Sequence, residues 1–599
     1  MKTIKSNFFW VAAILLINNA LFAKEFFMAV DGSDAQNGLS VNTAWASFDY
    51  AYTVMEPGDT LTLLDGTYTQ ELHPPSILSG TEDAYTTFRA LHAGSVILAP
   101  TSIGDDEMEG VIYIWSSSSF GVTSYIHFDG LFAKGVGENS AISIASVDFA
   151  TEAEMSHHIK ITRCGAMGSA LDYNVDVFDI GSVRDVFVED CFAFGFGRKA
   201  MQIYGAIRTK VRRMVVRYDW WEGDLYKPSD PRVNMSAYNT IDATLENILA
   251  IDAGPHPAAT SPDRAGLVAS GNQAGGTTIE GSENVYYLGC IILNNNVFAL
   301  TNGLEVNGGT GAPAKNLHFK DIIIHGADAG FNIHDNVDSI SLENITTIHN
   351  THIGIRVNPY PSYTISNVTI DRSLSTDNTY DGIYWNPDMT PVVLTNSTSV
   401  RNGDGDDVEP EYEPEIMYIP TNTPVAGHER GGTVFYRYVD GELTDEPLWP
   451  WPNEEVIKQY MCNANYLQEI TDTINHKEGT NMQYVPPWCA TDLTLTEYIW
   501  SYLGNPCPVE ICGPDALSLA QKNNKDILIY PNPVGKDLII KMLSNELPDY
   551  VQLFDGTGRL VLAQNTKGSS IDVSSLSSGI YFLEVLVGER VYWQQLVVQ

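Results

Sequence analysis

A short unit recurs through the middle of the chain, and it constrains the fold more than any other feature. A β-rich run meets one polar residue, often Asn or Asp. A second apolar run, a turn and a Gly-apolar-x-apolar segment follow, as in Ile340-Ser-Leu-Glu-Asn344-Ile-Thr-Thr-Ile and Tyr363-Thr-Ile-Ser-Asn367-Val-Thr-Ile. Asp190, Arg213, Asn247, Gly289, Asp321, Asn344, Asn367 and Asn396 fit the polar slot, at steps of 23, 34, 42, 32, 23, 23 and 29 residues. The recurring 23 is the base period, and the longer steps are that period with loops inserted. The second marker is Gly303-Leu-Glu-Val-Asn, Gly330-Phe-Asn-Ile-His, Gly354-Ile-Arg-Val-Asn and Gly382-Ile-Tyr-Trp-Asn. Period-two alternation puts Leu304, Val306, Phe331, Ile333, Ile355, Val357, Ile383 and Trp385 on one face. Short strands at this period, with few helical patterns between, predict a parallel β-helix. One coil cannot bury its apolar face alone, so coils stack on a common core. Residues 90 to 405 allow roughly 12 coils, a solenoid of roughly 55 Å at ~4.8 Å per coil.

The same alignment stacks the outward positions. One column reads Gln202, Val268, Glu305, Asn332, Arg356 and Tyr384; the next reads Tyr204, Ser270, Asn307, His334, Asn358 and Asn386. Asn, Tyr, Arg and His suit sugar hydroxyls and carboxylates, so the strip is a candidate binding face. The alternative is a solvated face with an asparagine ladder. His318, His325, His334, His349 and His352 cluster in sequence, with His334 on the strip.

Arg198, Lys199, Arg208, Lys210, Arg212, Arg213 and Arg217 form a basic stretch, followed by Trp220 and Trp221. In a chain with Lys+Arg 34 against Asp+Glu 74, a net charge of -40, such a stretch is a candidate site for an anion. The two tryptophans are candidate platforms for sugar rings. The alternative is that these charges balance neighbouring acids such as Glu189, Asp190 and Asp219. The overall charge repels nucleic acid and anionic lipid. Asp404, Asp406, Asp407 and Glu409 have the oxygen-rich character of a calcium loop, so calcium is the candidate cofactor.

Residues 1–23 read as a secretory signal, with Lys2 and Lys5 before the apolar Phe8–Ile17 run. No later stretch is apolar enough to span a membrane. Residues 24–405 are assigned to the β-helix and its N-terminal cap. Residues 406–520 form a helical segment expected over the C-terminal end of the solenoid, and 526–599 a separate β-rich domain. Cys462, Cys489, Cys507 and Cys512 allow two disulfides of open connectivity, and the odd count of 7 leaves at least one thiol free.

Two segments carry resemblances. Val30-Asp-Gly-Ser-Asp-Ala-Gln-Asn-Gly38, Ala44-Trp45-Ala-Ser-Phe48 and Pro57-Gly-Asp-Thr-Leu-Thr-Leu-Leu-Asp-Gly-Thr-Tyr68 resemble the opening of right-handed parallel β-helix proteins, especially bacterial polysaccharide lyases. That resemblance implies a capping helix over Phe48–Met55 and a first strand over Asp59–Leu64. Tyr530-Pro-Asn-Pro533, Phe554-Asp-Gly-Thr-Gly-Arg559, Gly579-Ile-Tyr-Phe-Leu and the ending Leu596-Val-Val-Gln599 resemble the C-terminal sorting domain of the type IX secretion system of Bacteroidetes. It implies handling by that machinery, then release or attachment at the outer cell surface. Together they point to a carbohydrate-active protein, first a lyase acting on an acidic polysaccharide by β-elimination, with glycoside hydrolysis behind it. Lys199 or Arg217 is then the candidate base, Arg356 or calcium the carboxylate neutraliser, and His334 an acid/base group. The alternative is a non-catalytic adhesin or matrix-binding surface protein.

Overall fold

The computed structural model describes residues 23–103, 110–117, 120–147, 151–171, 173–221, 233–253, 267–269, 282–293, 302–308, 313–359, 363–385, 390–400, 402–403, 436–478, 483–502, 527–530, 536–542, 548–555, 560–565, 570–577, 579–587 and 590–598. The expected signal segment, Ser270, Asn386, Asp404, Asp406, Asp407, Glu409, Cys507 and Cys512 lie outside these residues.

The chain is a right-handed parallel β-helix with a helical, cysteine-bearing segment and a C-terminal antiparallel β-sandwich. Twelve parallel pairings link Glu25–Met28 to Val392–Thr395 in an unbroken stack. Steps of ~4.8 Å make it roughly 58 Å long. The first strand is Glu25–Met28, ahead of the expected one, and it pairs with Thr60–Leu63. Helix α1 (Phe48–Val54) sits between them, capped by the Ser47 side chain accepting from the Tyr50 N–H. Inserted loops lengthen the middle coils, so residues 90 to 405 hold ten layers in the sheet described below, not about 12.

Nine coils, from that of Tyr125 and Gly130 to that of Asn367 and Arg372, turn twice through the left-handed region. One corner column is Gly130, Arg163, Asp190, Arg213, Asn247, Gly289, Asp321, Asn344, Arg372 and Asn396, all at positive φ. A second is Tyr125, His158, Asp185, Arg208, Asp242, Asn284, Asn316, Ser339 and Asn367. Asn367 therefore belongs to the second corner, in register with Ser339, and Arg372 occupies the slot expected of it. Asn, Asp and Gly tolerate this conformation best. The arginines at the first corner each meet a carboxylate, as Arg163 does Asp129 and Arg213 does Asp190.

Ten strands form the sheet that carries the expected strip: β1 (Gly110–Ser116), β2 (Ser140–Ser146), β3 (Asp176–Gly181), β4 (Lys199–Tyr204), β5 (Val233–Tyr238), β6 (Leu267–Ala269), β7 (Leu304–Asn307), β8 (Phe331–His334), β9 (Ile355–Val357) and β10 (Ile383–Trp385). All eight expected inward residues, Leu304 to Trp385, are buried in the common core. Each such aliphatic side chain contributes about 1.5–3 kcal/mol. The preceding glycines answer to stacking and not to turn geometry. A Cβ on Gly354 would lie 1.8 Å from the Ser375 hydroxyl and 2.6 Å from the Gly382 carbonyl.

Among the described residues, the helical segment lies on the flank of the solenoid and not over its end. Helices α2 (Glu454–Met461), α3 (Ala464–Glu478) and α4 (Leu495–Tyr502) close over outward-facing Phe132, Phe192, Phe194, Val215, Leu249 and Ile291. Trp449, Trp451, Trp488 and Trp500 are buried in that seam. Tyr460 stacks on Phe132 at 3.7 Å. A disulfide joins Cys462 to Cys489. Cys164, Cys191 and Cys290 are free and buried in the solenoid core. The tail has its own core around Leu538, Val551, Leu553, Leu583 and Leu596, and its two sheets are antiparallel.

Candidate functional site

The ten-stranded sheet holds the strip in the register read from sequence. Gln202 pairs with Ser236, Ser236 with Val268, Val268 with Glu305, Glu305 with Asn332, Asn332 with Arg356 and Arg356 with Tyr384. The column also runs the other way through Asp179, Ser143 and Tyr113. In the second column Tyr204 stacks on Tyr238 at 5.3 Å, and Asn307 pairs with His334. Asn358 follows β9 half-buried, its N–H donating to the Ile333 carbonyl. Sequence reasoning missed Ser236, Asp179, Ser143, Tyr113 and Tyr238, whose strands lie outside the four aligned segments from Gly303 to Gly382.

One buried network lies on this face. Glu305 is 1% exposed and His334 4%. His334 Nε2 is 3.1 Å from Glu305 Oε1, and its Nδ1 is 2.9 Å from Asp335 Oδ2. The amides of Asn302 and Asn307 donate to the two oxygens of Glu305 at 2.8 and 2.6 Å. Both ring nitrogens thus face carboxylates. The doubly protonated ring satisfies both, and a proton leaving Nε2 has Glu305 as its acceptor. Beside the network, Asn332 Oδ1 is buried and accepts no hydrogen bond among the described residues. Such an orphaned acceptor is costly unless a donor arrives.

Arg356 is half-buried in register with Asn332. Among the described residues it has no ion-pair partner. Glu305, two strands away in the same column, is held instead by His334, Asn302 and Asn307. The asparagine ladder exists, but at a corner away from the strip, where Asn350 donates to Asn378 and Asn378 to Asn402.

Other candidates fall elsewhere. Lys199 is buried beside Asp176, Nζ 3.6 Å from Oδ1. Burial lowers its pKa to about 8 against the pull of Asp176. Five strand steps separate β4 from β9, or roughly 24 Å, so Lys199 and Arg356 cannot serve one sugar. Arg217 is fully buried under the helical segment, its guanidinium bidentate on Asp219 at 2.6 and 3.1 Å. Burial opposes its charge, but Asp219 more than compensates and raises its pKa. A group so held is no base. Trp220 and Trp221 have no exposed surface and offer no face to a sugar.

Arg198, just before β4, donates to the Asn174 side chain, whereas Arg208, Lys210, Arg212 and Arg213 lie on another face and are paired with carboxylates. Arg208 meets Asp185 and Glu152, Arg212 meets Glu189 and Glu246, and Arg213 meets Asp190 and Glu189. The charge-balancing alternative describes them. Among the histidines, His318 stacks on Tyr286 and His325 contacts His349 at 3.0 Å, both away from the strip. No group of three His, Cys, Asp or Glu able to hold a metal occurs among the described residues.

Residues 528–599 match the family model of the secretion system C-terminal sorting domain. The protein is therefore handled by the type IX secretion system, and is released or held at the cell surface. No helix among the described residues is long and apolar enough to cross a membrane. No curated protein matches the chain. Solved structures similar to it include the A-module of a mannuronan C-5 epimerase from Azotobacter vinelandii, at 14% identity, covering 60% of this chain and 88% of that one, with a TM-score of 0.40. A pectate lyase, Pel9A, aligns at 14% identity over 63% and 79%, with a TM-score of 0.33. An alginate lyase of family PL6 aligns at 11% over 63% and 51%, with a TM-score of 0.32.

Proposed function

We propose that this secreted protein is a carbohydrate-active enzyme, a lyase that cleaves an acidic polysaccharide along the ten-stranded sheet. The observation that carries the reading is Arg356, a cation without a carboxylate partner among the described residues, one strand from an orphaned Asn332 oxygen and the Glu305–His334–Asp335 network. β-Elimination of a uronate needs a cation at the carboxylate, a base for the proton at C5 and a proton for the departing O4. Arg356 supplies the first, by bidentate pairing. The Glu305–His334–Asp335 network, on the other side of Arg356 from Tyr384, is the group proposed to take up the C5 proton. Tyr384, on the strand beyond Arg356, is the hydroxyl placed to protonate O4. The C5–H bond breaks, the C4=C5 double bond forms and the C4–O4 bond breaks, so one proton leaves carbon and one reaches oxygen. Gln202, Tyr204 and Asn358 extend the binding face. Calcium, if bound, would reinforce neutralisation of substrate carboxylates.

A second reading keeps the strip and drops the chemistry. The burial of Glu305 and His334 favours it, because the accessible polar groups, Arg356, Tyr384, Gln202, Tyr204 and Asn358 among them, then suffice for binding. A matrix-binding surface protein needs no more. Incubation with a panel of acidic polysaccharides, followed by the absorbance of unsaturated uronates, separates the two. A polymer that binds with no such product across the panel assigns the protein to the second class.

A further inference from the structure

At the far end of the same sheet a cavity of about 570 Å³ opens between α1 and β1. That volume lies within the ~300–1,000 Å³ typical of ligand sites. Five of the twelve residues that line it are Phe, Tyr or Trp: Phe48, Tyr52, Tyr113, Trp115 and Phe120. Tyr113 and Trp115 head the two outward columns of the strip, but eight strand steps separate β1 from β9, roughly 38 Å. The cavity is thus too far away to share a sugar with Arg356.

The polar lining is different in kind from the Arg356 region. It holds Asp49, Gln70, Glu71, His73, Ser76 and Thr123, with no Lys or Arg. Gln70 is already used, accepting from the Phe48 N–H and donating to the Ala46 carbonyl. The His73 ring lies 3.8 Å from that of Tyr113, centroid to centroid. Burial holds the His73 pKa down at about 4, so the ring is neutral at neutral pH, with one donor and one acceptor nitrogen. Neither that ring nor the Trp115 indole makes a hydrogen bond among the described residues. Phe120 leaves 59% of its surface exposed at the rim.

We infer that this cavity is a binding site for a neutral sugar ring, separate from the site proposed for elimination. A pyranose has an apolar C–H face and a rim of hydroxyls. Trp115, half-buried, offers an aromatic face to the first. Asp49, Glu71 and His73 offer acceptors, and His73 a donor, to the second. The carboxylates of the lining, with no cation among them, repel a uronate or a sulfated sugar. This site does not depend on whether the strip is catalytic.

The test is titration of the full-length protein with neutral gluco-, manno-, xylo- and galacto-oligosaccharides, and with oligouronates, followed by calorimetry and tryptophan fluorescence. At least one neutral oligosaccharide binds saturably. Trp115→Ala weakens that binding tenfold or more, and the rim variant Phe120→Ala weakens it less, both with unchanged melting temperature. Arg356→Ala leaves it unaltered. Absence of saturable binding by every neutral sugar at millimolar concentration overturns the inference. So does wild-type affinity in both Trp115→Ala and Phe120→Ala, or affinity that falls in Arg356→Ala.

Discussion

Replacing Arg217 by methionine tests how the helical segment is fixed to the solenoid. Arg217 and Asp219 are both fully buried, and the guanidinium also donates to the Met461 carbonyl at 2.7 Å. Asp219 accepts in addition from the Tyr466 hydroxyl at 2.6 Å. Met461 and Tyr466 belong to the helical segment, so this ion pair joins segment and solenoid. Methionine fills much the same volume but leaves a buried carboxylate without its cation. Breaking such a pair costs about 3–5 kcal/mol. The seam tryptophans give the signal, so denaturant unfolding followed by their fluorescence reports the loss. The sign of a second substitution is the sharper check. Asp219→Asn removes the stranded charge while its amide oxygen still accepts from Tyr466, so Arg217→Met with Asp219→Asn should be more stable than Arg217→Met alone. A cost under about 1 kcal/mol for the single variant, or further loss in the double variant, would refute the argument.

Truncation at residue 522 should leave a folded solenoid, since the tail has a core of its own; loss of cooperative melting would contradict this. Stability should fall as pH drops below 6.5. Burial lowers the pKa of His325 to about 3, and those of His73 and His157 to about 4. The unfolded chain then binds more protons between those values and 6.5, so stability is full above 6.5 and declines through that window; a flat melting profile from pH 6.5 to 4 would count against it. Calcium should raise the melting temperature, since a net charge of -40 concentrates carboxylates that a divalent ion relieves; indifference to both calcium and chelator would remove the cofactor.

The strip was legible because backbone stacking translates residues without rotation. Once Gly303, Gly330, Gly354 and Gly382 were aligned, Glu305, Asn332, Arg356 and Tyr384 had to share a column. The corner after Asn344 was not legible, because arginine at positive φ is uncommon and Asn367 offered the expected residue type five positions early. The burial of Arg217, Trp220 and Trp221 was also hidden. Every residue from Val215 to Trp220 is buried, since the core takes one face and the helical segment the other. A strand enclosed on both sides loses the alternation that tells inside from outside. The enclosing residues lie more than 230 positions later in the chain, as the Arg217–Met461 bond, 244 apart, shows. The Glu305–His334 contact was within reach of the column alignment, since Asn307 and His334 pair directly. Its burial was not.

If Arg356 and its neighbours on the strip perform the elimination, loss of Arg356 must slow it. The most direct measurement is the rate of unsaturated uronate formation by Arg356→Ala, beside wild type and Lys199→Met, on a polymer that wild type cleaves. Arg356→Ala should lose at least tenfold, about 1.4 kcal/mol, with an unchanged melting temperature. Lys199→Met should keep its turnover if it folds, because it lies roughly 24 Å along the stack. Wild-type turnover in a folded Arg356→Ala protein would contradict the claim and move the chemistry off this face.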